Sequence, residues 1–323
     1  MSKGILILGG GELGTAIIAS LATHPSRPPL TPITVILRSR STSPPNPNSS
    51  ESPNSKALQL AELSSLPDIS LIQFDITSTS ISTLASLFSG YAIIISCVGM
   101  GLPKGSQLKI TEAALQANIP KFLPWQFGVD YDKIGRGSVQ DLFTEQLDVR
   151  ALLRGQKSEE TKTHWVIVSV GMFMSFVFED EFGVVRGLNA RGGGKVEVRP
   201  LGEWENKLTL TDVKDIGRVV AELIFVAPEV VDQVVYVAGE TLSFTELANT
   251  IEKVTGREVE RVRDWSLDTL KNEWKEDAGN VMKKYRVVFA EQVGITWEEK
   301  GSFNAQQRME MGRIADWLRK KLV

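Results

Sequence analysis

Short apolar runs alternate with helix-like stretches from residue 4 to residue 124. Gly4-Ile5-Leu6-Ile7-Leu8 is continuous and apolar, the pattern of a strand buried on both faces of a parallel sheet. A helix follows, starting near Glu12 or Leu13 and running through Ala22. Ile33-Thr34-Val35-Ile36-Leu37 is a second β-branched run. Ser70 to Phe74 predicts a third strand and Ile81 to Phe88 a helix. Tyr91 to Ser96 predicts a fourth strand and Gln107 to Ala117 a helix, and Lys121 to Pro124 predicts a fifth strand. Strands alternating with helices predict an α/β, doubly wound parallel sheet of the Rossmann type.

Residues 39–55 interrupt this alternation. Fourteen of the seventeen are Ser, Pro or Asn, too polar to offset the entropy of ordering, so the segment reads as a flexible loop. It is either a tolerated surface insertion or a flap over the adenosine end of a nucleotide. Farther on, Trp165 to Ser169 predicts a sixth strand. Met172 to Phe178 is rich in large apolar side chains, and Gly192-Gly193-Gly194 marks a turn. Lys207 to Leu210 and Gln233 to Val237 read as short strands, and Val213 to Phe225 and Phe244 to Val254 as amphipathic helices. The expected organisation is a nucleotide-binding Rossmann domain over residues 1–155. A smaller C-terminal α/β substrate-binding region occupies most of 156–323, with some segments returning to the Rossmann sheet.

Composition narrows the class. Of 323 residues, 42% are hydrophobic and 23% charged, near globular averages, which excludes fibrous and wholly disordered chains. Lys plus Arg number 36 against 39 Asp plus Glu, and the net charge of -3 argues against a nucleic-acid partner. The single cysteine, Cys97, excludes an internal disulfide and a multi-thiolate zinc site; with only His24 and His164 besides, no metal is expected. Gly9-Gly10-Gly11-Glu12 interrupts the first apolar run after five residues, too early for a signal peptide. No run reaches the roughly 18 apolar residues that span a bilayer. The expectation is a cytoplasmic protein, monomer or homodimer, with a small-molecule substrate and no membrane partner.

Gly9, Gly11 and Gly14 form a G-x-G-x-x-G pattern between the first strand and the first helix. In that setting Gly9 permits the tight turn, Gly11 lets a pyrophosphate approach the backbone, and Gly14 lets the helix pack on the sheet. Glu12 and Leu13 open the helix whose N–H groups face the phosphates. Leu37-Arg38-Ser39-Arg40 follows the second strand, where an NAD site commonly carries an acid. Arg38 and Arg40 suit a 2′-phosphate, which favours NADP(H). Asp75, after the third strand, is placed to contact adenine through its side chain or neighbouring backbone. Cys97-Val98-Gly99, after the fourth, is expected to run under the cofactor, with Cys97 a packing residue and not a redox centre.

Lys121-Phe122-Leu123-Pro124-Trp125-Gln126-Phe127-Gly128-Val129-Asp130 resembles the NmrA-like and isoflavone reductase-like group of atypical short-chain dehydrogenases. Plant members carry a similar strand ending in Pro-Ser-Glu-Phe-Gly, followed shortly by Asp; Trp125 and Gln126 here replace the Ser and Glu, as in fungal relatives. Gln107 at a helix start, Thr211-Asp212-Val213-Lys214-Asp215-Ile216-Gly217 and Leu242-Ser243-Phe244-Thr245-Glu246-Leu247 agree in order. The resemblance covers nearly the whole chain. It implies an NADP-binding Rossmann domain, with Gln107 and Phe127 in the cofactor site, and a substrate region in which Trp125, Gln126, Met172, Phe173 and Phe176 wall the pocket.

In the group's reductases a lysine on the helix after the Phe-Gly motif is the supposed general acid or base. Aligning Phe143 and Val149-Arg150 with that helix puts Gln140 at the lysine position, and glutamine is no ordinary proton carrier. Tyr-x-x-x-Lys is also missing: Tyr91, Tyr131, Tyr236 and Tyr285 are followed at that spacing by Ile95, Gly135, Glu240 and Phe289. Asp130 and Lys133 remain as proton carriers, with Gln140 orienting the substrate. The competing reading makes Lys133 a surface charge and Asp130 a brace for the turn. Two functions follow from the resemblance. One is an NADPH-dependent oxidoreductase of an aromatic or alkaloid-like molecule in fungal specialised metabolism, reducing an imine or iminium or guiding a ring closure. The other is a non-catalytic NADP-binding redox sensor of the NmrA type.

Overall fold

The computed structural model describes residues 3–38, 61, 63, 65–158, 160–188 and 194–322. The 39–55 segment with Arg40, and Gly192-Gly193, lie outside the described residues.

The apolar runs form one seven-stranded sheet. Its strands are β1 (Ile5–Leu8), β2 (Ile33–Leu37), β3 (Ile69–Gln73), β4 (Ile93–Ser96), β5 (Lys121–Leu123), β6 (His164–Ser169) and a last strand, Gln233–Tyr236. The spatial order is β3-β2-β1-β4-β5-β6 with Gln233–Tyr236 beside β6. β1 pairs in parallel with both β2 and β4, Ile5 lying opposite Ile33 and Ile93. All four β1 residues are buried, which is why the strand carries no polar alternation. The final strand pairs in the same sense: Asp232 N–H donates to Trp165 C=O and, farther along both strands, Val237 N–H to Ser169 C=O.

Helices cover the sheet, and glycine decides how close two of them come. Helix α1 (Glu12–Thr23) meets the helix Val213–Phe225 at Gly217, where a Cβ would overlap the Ala16 carbonyl and lie 2.7 Å from Ser20 Oγ. The Asp-Ile-Gly stretch that pointed to the family is therefore a backbone-on-backbone helix contact.

The chain divides into two compact units: Met1–Trp125 with Asp148–Ile167 and Ile216–Val234, and Gln126–Leu147 with Val168–Asp215 and Val235–Val323. The second has two small sheets, one of Met172–Phe173, Lys207–Thr211 and Glu240–Ser243, the other of Val185–Arg186, Val196–Val198 and Val259–Arg261. Its helix Phe244–Thr255 starts with a capping box: Glu246 N–H donates to Ser243 Oγ (3.1 Å) and Ser243 N–H to the Glu246 carboxylate (2.7 Å). That backbone bond holds the Glu246 carboxyl below its ordinary range.

The Met172–Phe178 run makes a short strand against Leu210–Thr211 and then a 3₁₀ turn over Ser175–Phe178. Met172, Met174 and Val177 are buried in the unit's core. Phe176 packs on Phe182 and Tyr285 at ring separations of 4.8 and 5.8 Å, and Phe178 stacks on Trp317 at 4.9 Å. Phe173 and Phe176 stay half-buried.

Candidate functional site

In the first unit the glycine turn follows β1 directly. Gly9 has φ +99°, a conformation that favours glycine, and its N–H donates to Ile36 C=O at 2.9 Å. A Cβ there would lie 2.6 Å from Val98 Cγ1, so the loop after β4 presses on the turn. Gly14 is held as tightly, since a Cβ would overlap the Gly9 carbonyl oxygen. Gly11 differs: among the described residues a Cβ would meet nothing within 4 Å. Gly11 is also the N-cap of α1, and no side chain caps that helix start. Glu12 is exposed in the first turn and Leu13 is buried beneath it. Open space before an uncapped helix start, where the macrodipole is positive, suits a pyrophosphate. Arg38 is exposed at the end of β2.

Cys97-Val98-Gly99 is pinned from the next helix, Ser106–Gln116, whose buried Gln107 donates from Nε2 to Val98 C=O at 2.8 Å. Cys97 is half-buried, and desolvation pushes its thiol above the ordinary thiol range. Trp125 is half-buried, with its indole against Gly99. The Asp75 carboxylate is taken up by its own turn: it accepts from Thr77 Oγ1 (2.6 Å), Ser78 Oγ (2.7 Å) and Thr77 N–H (2.9 Å). Those bonds, the Thr77 hydroxyl first, hold its pKa far below the carboxylate range.

In the second unit Gln126, Phe127 and Asp130 are all buried. Gln126 Nε2 donates to Gln146 C=O at 2.9 Å. Asp130 caps the short helix Tyr131–Ile134, accepting from Lys133 N–H at 3.3 Å. Its second oxygen accepts from the Tyr236 hydroxyl at 2.7 Å and lies 3.6 Å from Lys133 Nζ. The Lys133 ammonium also sits 5.9 Å from the centre of the Tyr236 ring, while the lysine side chain is 63% exposed. Asp130 thus braces the turn, and a tyrosine without a Tyr-x-x-x-Lys partner in sequence acquires a lysine neighbour in space.

Gln140 stands immediately before the helix on which the family lysine is expected, and its C=O accepts from Phe143 N–H at 3.0 Å. That helix is Asp141–Arg154, and Gln140 precedes it, buried, with Nε2 3.5 Å from Val281 C=O. The helical glutamine is Gln146, fully buried, with neither amide atom hydrogen-bonded among the described residues. Sequence reading missed both Gln146 and Tyr236. Gln146 carried a signal, a polar residue between apolar Phe143 and Val149 on one helix; Tyr236 is 106 residues from Asp130 and carried none. The second unit also holds a groove of about 610 Å³ lined by Ala238, Gly239, Asn304, Met309, Met311 and Arg313 among others, large enough for a small molecule. Among the described residues no cluster of His, Cys, Asp and Glu could hold a metal, and no helix is long and apolar enough to cross a membrane.

Comparison with known proteins extends these observations. Residues 1–306 match the NmrA-like family. An NmrA-like family domain-containing oxidoreductase of Gibberella moniliformis is 40% identical over 319 residues, spanning 99% of this chain and 98% of that protein. Crystal structures share the fold at lower identity. Isoflavone reductase superposes with a TM-score of 0.74 at 18% identity, covering 99% of this chain and 100% of the other. A structure from a study of pinoresinol-lariciresinol and phenylcoumaran benzylic ether reductases has a TM-score of 0.74 at 20% identity, covering 99% of each chain. The binary complex of leucoanthocyanidin reductase and NADPH from Vitis vinifera has a TM-score of 0.73 at 18% identity, covering 98% of each.

Proposed function

The chain belongs to the NmrA-like family, and from that premise we propose that it is an NADP(H)-dependent oxidoreductase of an aromatic or alkaloid-like small molecule. The observation that carries the proposal is the open space at Gly11 before an uncapped helix start. The relative's description as an oxidoreductase supports the activity, and the solved NADPH complex of the same fold supports the cofactor.

In this reading Gly9, Gly11 and Gly14 hold the pyrophosphate, with Glu12 and Leu13 opening the helix behind it. Arg38, with Arg40, binds the 2′-phosphate through charge-assisted bonds. The backbone beside Asp75 meets adenine, and Cys97-Val98-Gly99, held by Gln107, lines the nicotinamide end. Bound NADPH supplies the hydride, and the chain supplies orientation and exclusion of water. Of the residues expected to wall the substrate, Trp125, Phe173 and Phe176 are half-buried and each able to meet it, while Gln126 and Met172 are buried and brace the fold behind. Gln140 orients it without moving a proton, while Lys133 and Asp130 are the groups that could carry one. An imine or iminium substrate, already activated, would need little proton delivery, which matches fungal specialised metabolism and leaves room for a guided ring closure.

A second reading is a non-catalytic NADP-binding redox sensor, a cytoplasmic monomer or homodimer. It is favoured by the absence of a lysine from the helix Asp141–Arg154 and by the bracing role of Asp130. One assay separates the two. An enzyme consumes NADPH when supplied with imine and enone candidates, whereas a sensor binds NADPH without consuming it.

A further inference from the structure

Gly99 meets a constraint its backbone does not explain. Its φ lies outside the left-handed region, so any residue could adopt that conformation. The three atoms nearest a Cβ at this position are Cδ2, Cε2 and Cε3 of Trp125, and all three would overlap it. The indole therefore lies face-on over the Gly99 Cα, and the ring alone demands glycine. The other side of the loop is fixed as well, by Val98 against Gly9 and by Gln107 on the Val98 carbonyl. Parallel strands bring all their carboxyl ends to one edge of the sheet, where α/β proteins bind ligands. Gly9, Cys97 and Trp125 follow β1, β4 and β5 and share that edge. Trp125 is only half-buried there, so part of the residue reaches solvent.

We propose that Gly99 and Trp125 form a stacking platform: the indole takes a flat aromatic ring, and Gly99 sets the height at which it does so. Trp125 is the contacting residue, and Gly99 is a positioning residue that acts through it. The inference rests on the NADP(H)-dependent reading, within which the ring has two sources, the nicotinamide or an aromatic substrate. An alanine at residue 99 would lift the indole by roughly 1.5 Å, the shift that restores ordinary carbon–carbon contact.

The test uses the full chain with two probes, NADPH alone and 2-naphthol in the presence of NADP+. Affinities are measured for wild type, Gly99→Ala, Trp125→Phe, Trp125→Ala and the Gly99→Ala/Trp125→Ala pair, and melting of each variant checks that it folds. Trp125→Ala should weaken one probe about fivefold, the scale of an aromatic contact, and Trp125→Phe should keep most of the affinity. Weakening of 2-naphthol assigns the platform to the substrate; weakening of NADPH assigns it to the nicotinamide. Because Gly99 acts through the indole, the double variant should stay near fivefold, not the roughly 25-fold of independent sites. Additive losses, or a Trp125→Ala variant that binds both probes like wild type, would overturn the proposal. A wild type that binds NADPH but fails to bind 2-naphthol, with Trp125→Ala unchanged towards NADPH, overturns this inference and leaves the oxidoreductase reading standing. A wild type that binds no NADPH removes both.

Discussion

Gly11 and Gly14 sit in one motif, yet the structure assigns them opposite vulnerabilities, and that contrast can be measured. A side chain at Gly14 strikes the Gly9 carbonyl, which is backbone and cannot step aside cheaply. Overpacking of this kind costs about 1–3 kcal/mol, against a helix-propensity gain from Gly to Ala of up to about 1 kcal/mol. Gly14→Ala should therefore destabilise the protein and lower its melting temperature by several degrees. Gly11 has an extended conformation open to any residue, and nothing lies within 4 Å of a Cβ. Gly11→Val should cost no more than the N-cap preference, about 1 kcal/mol or less. Its effect should appear in binding. Displacing a pyrophosphate from two backbone donors loses two hydrogen bonds to a charged group, about 1.5–3 kcal/mol each. The dissociation constant for NADPH should then rise by roughly 10² to 10⁴. Calorimetric titration with NADPH and thermal unfolding of the apo proteins separate the two variants. A folded Gly11→Val protein with wild-type NADPH affinity would show that the turn is structural only. A Gly14→Ala protein that melts like wild type would refute the packing argument.

Arg38→Ala should weaken NADPH by about 1.5–3 kcal/mol and leave NADH nearly unchanged; equal calorimetric affinities of the wild type for both cofactors would sink the 2′-phosphate assignment. Gln146→Met should leave melting unchanged or raise it, because it removes two unbonded buried polar atoms at similar volume; a loss of about 2 kcal/mol or more would mean the amide has a bonded partner inside the fold. Burial acts to raise the Asp232 pKa, but bonds from His164, Trp165 N–H and Lys162 outweigh it and leave the folded value depressed. Its contribution is therefore complete above the ordinary carboxylate range and is lost as pH falls through the lowered value. Asp232→Asn should reduce stability at neutral pH and flatten that acid limb; an unchanged limb in pH-dependent melting would contradict the sign. Lys133→Ala should change single-turnover hydride transfer by less than about fivefold if this exposed lysine only braces Asp130, whereas a loss of several thousandfold would make it the proton carrier.

Local chemistry carried most of what the sequence revealed. Ile5 to Leu8 announces a buried parallel strand because both its faces are covered, and Gly9 and Gly14 announce a turn because each lacks a side chain for a separate steric reason, while Gly11 leaves open space. Gln233 to Val237 reads as a strand from its β-branched residues, but its seat beside β6 depends on bonds such as Asp232 to Trp165, across 67 positions, which no local pattern encodes. The place of Gln140 shows the limit at a helix boundary: it stands immediately before Asp141, with its C=O accepting from Phe143 N–H. Residues 138–140 carry no periodicity that would separate loop from helix, so sequence alone does not fix which residue opens the first turn. The Met172–Phe178 run shows a third limit: composition marks it as apolar without saying which side chains face the core.

The arrangement around Asp130 bears on how a proton could be handled at all. One carboxylate oxygen accepts the Lys133 N–H that starts a helix, and the other accepts the Tyr236 hydroxyl. To take up a proton, this group must give up or reverse a bond in a buried site, and each such bond is worth about 1.5–3 kcal/mol. The Tyr236 hydroxyl spends its one proton on that carboxylate, as the donor of a 2.7 Å bond. Lys133, with most of its side chain in water, exchanges protons with solvent on its own and needs neither neighbour. Proton delivery through this cluster would therefore run from solvent to Lys133 and onward, with Asp130 and Tyr236 holding the lysine and the turn in place.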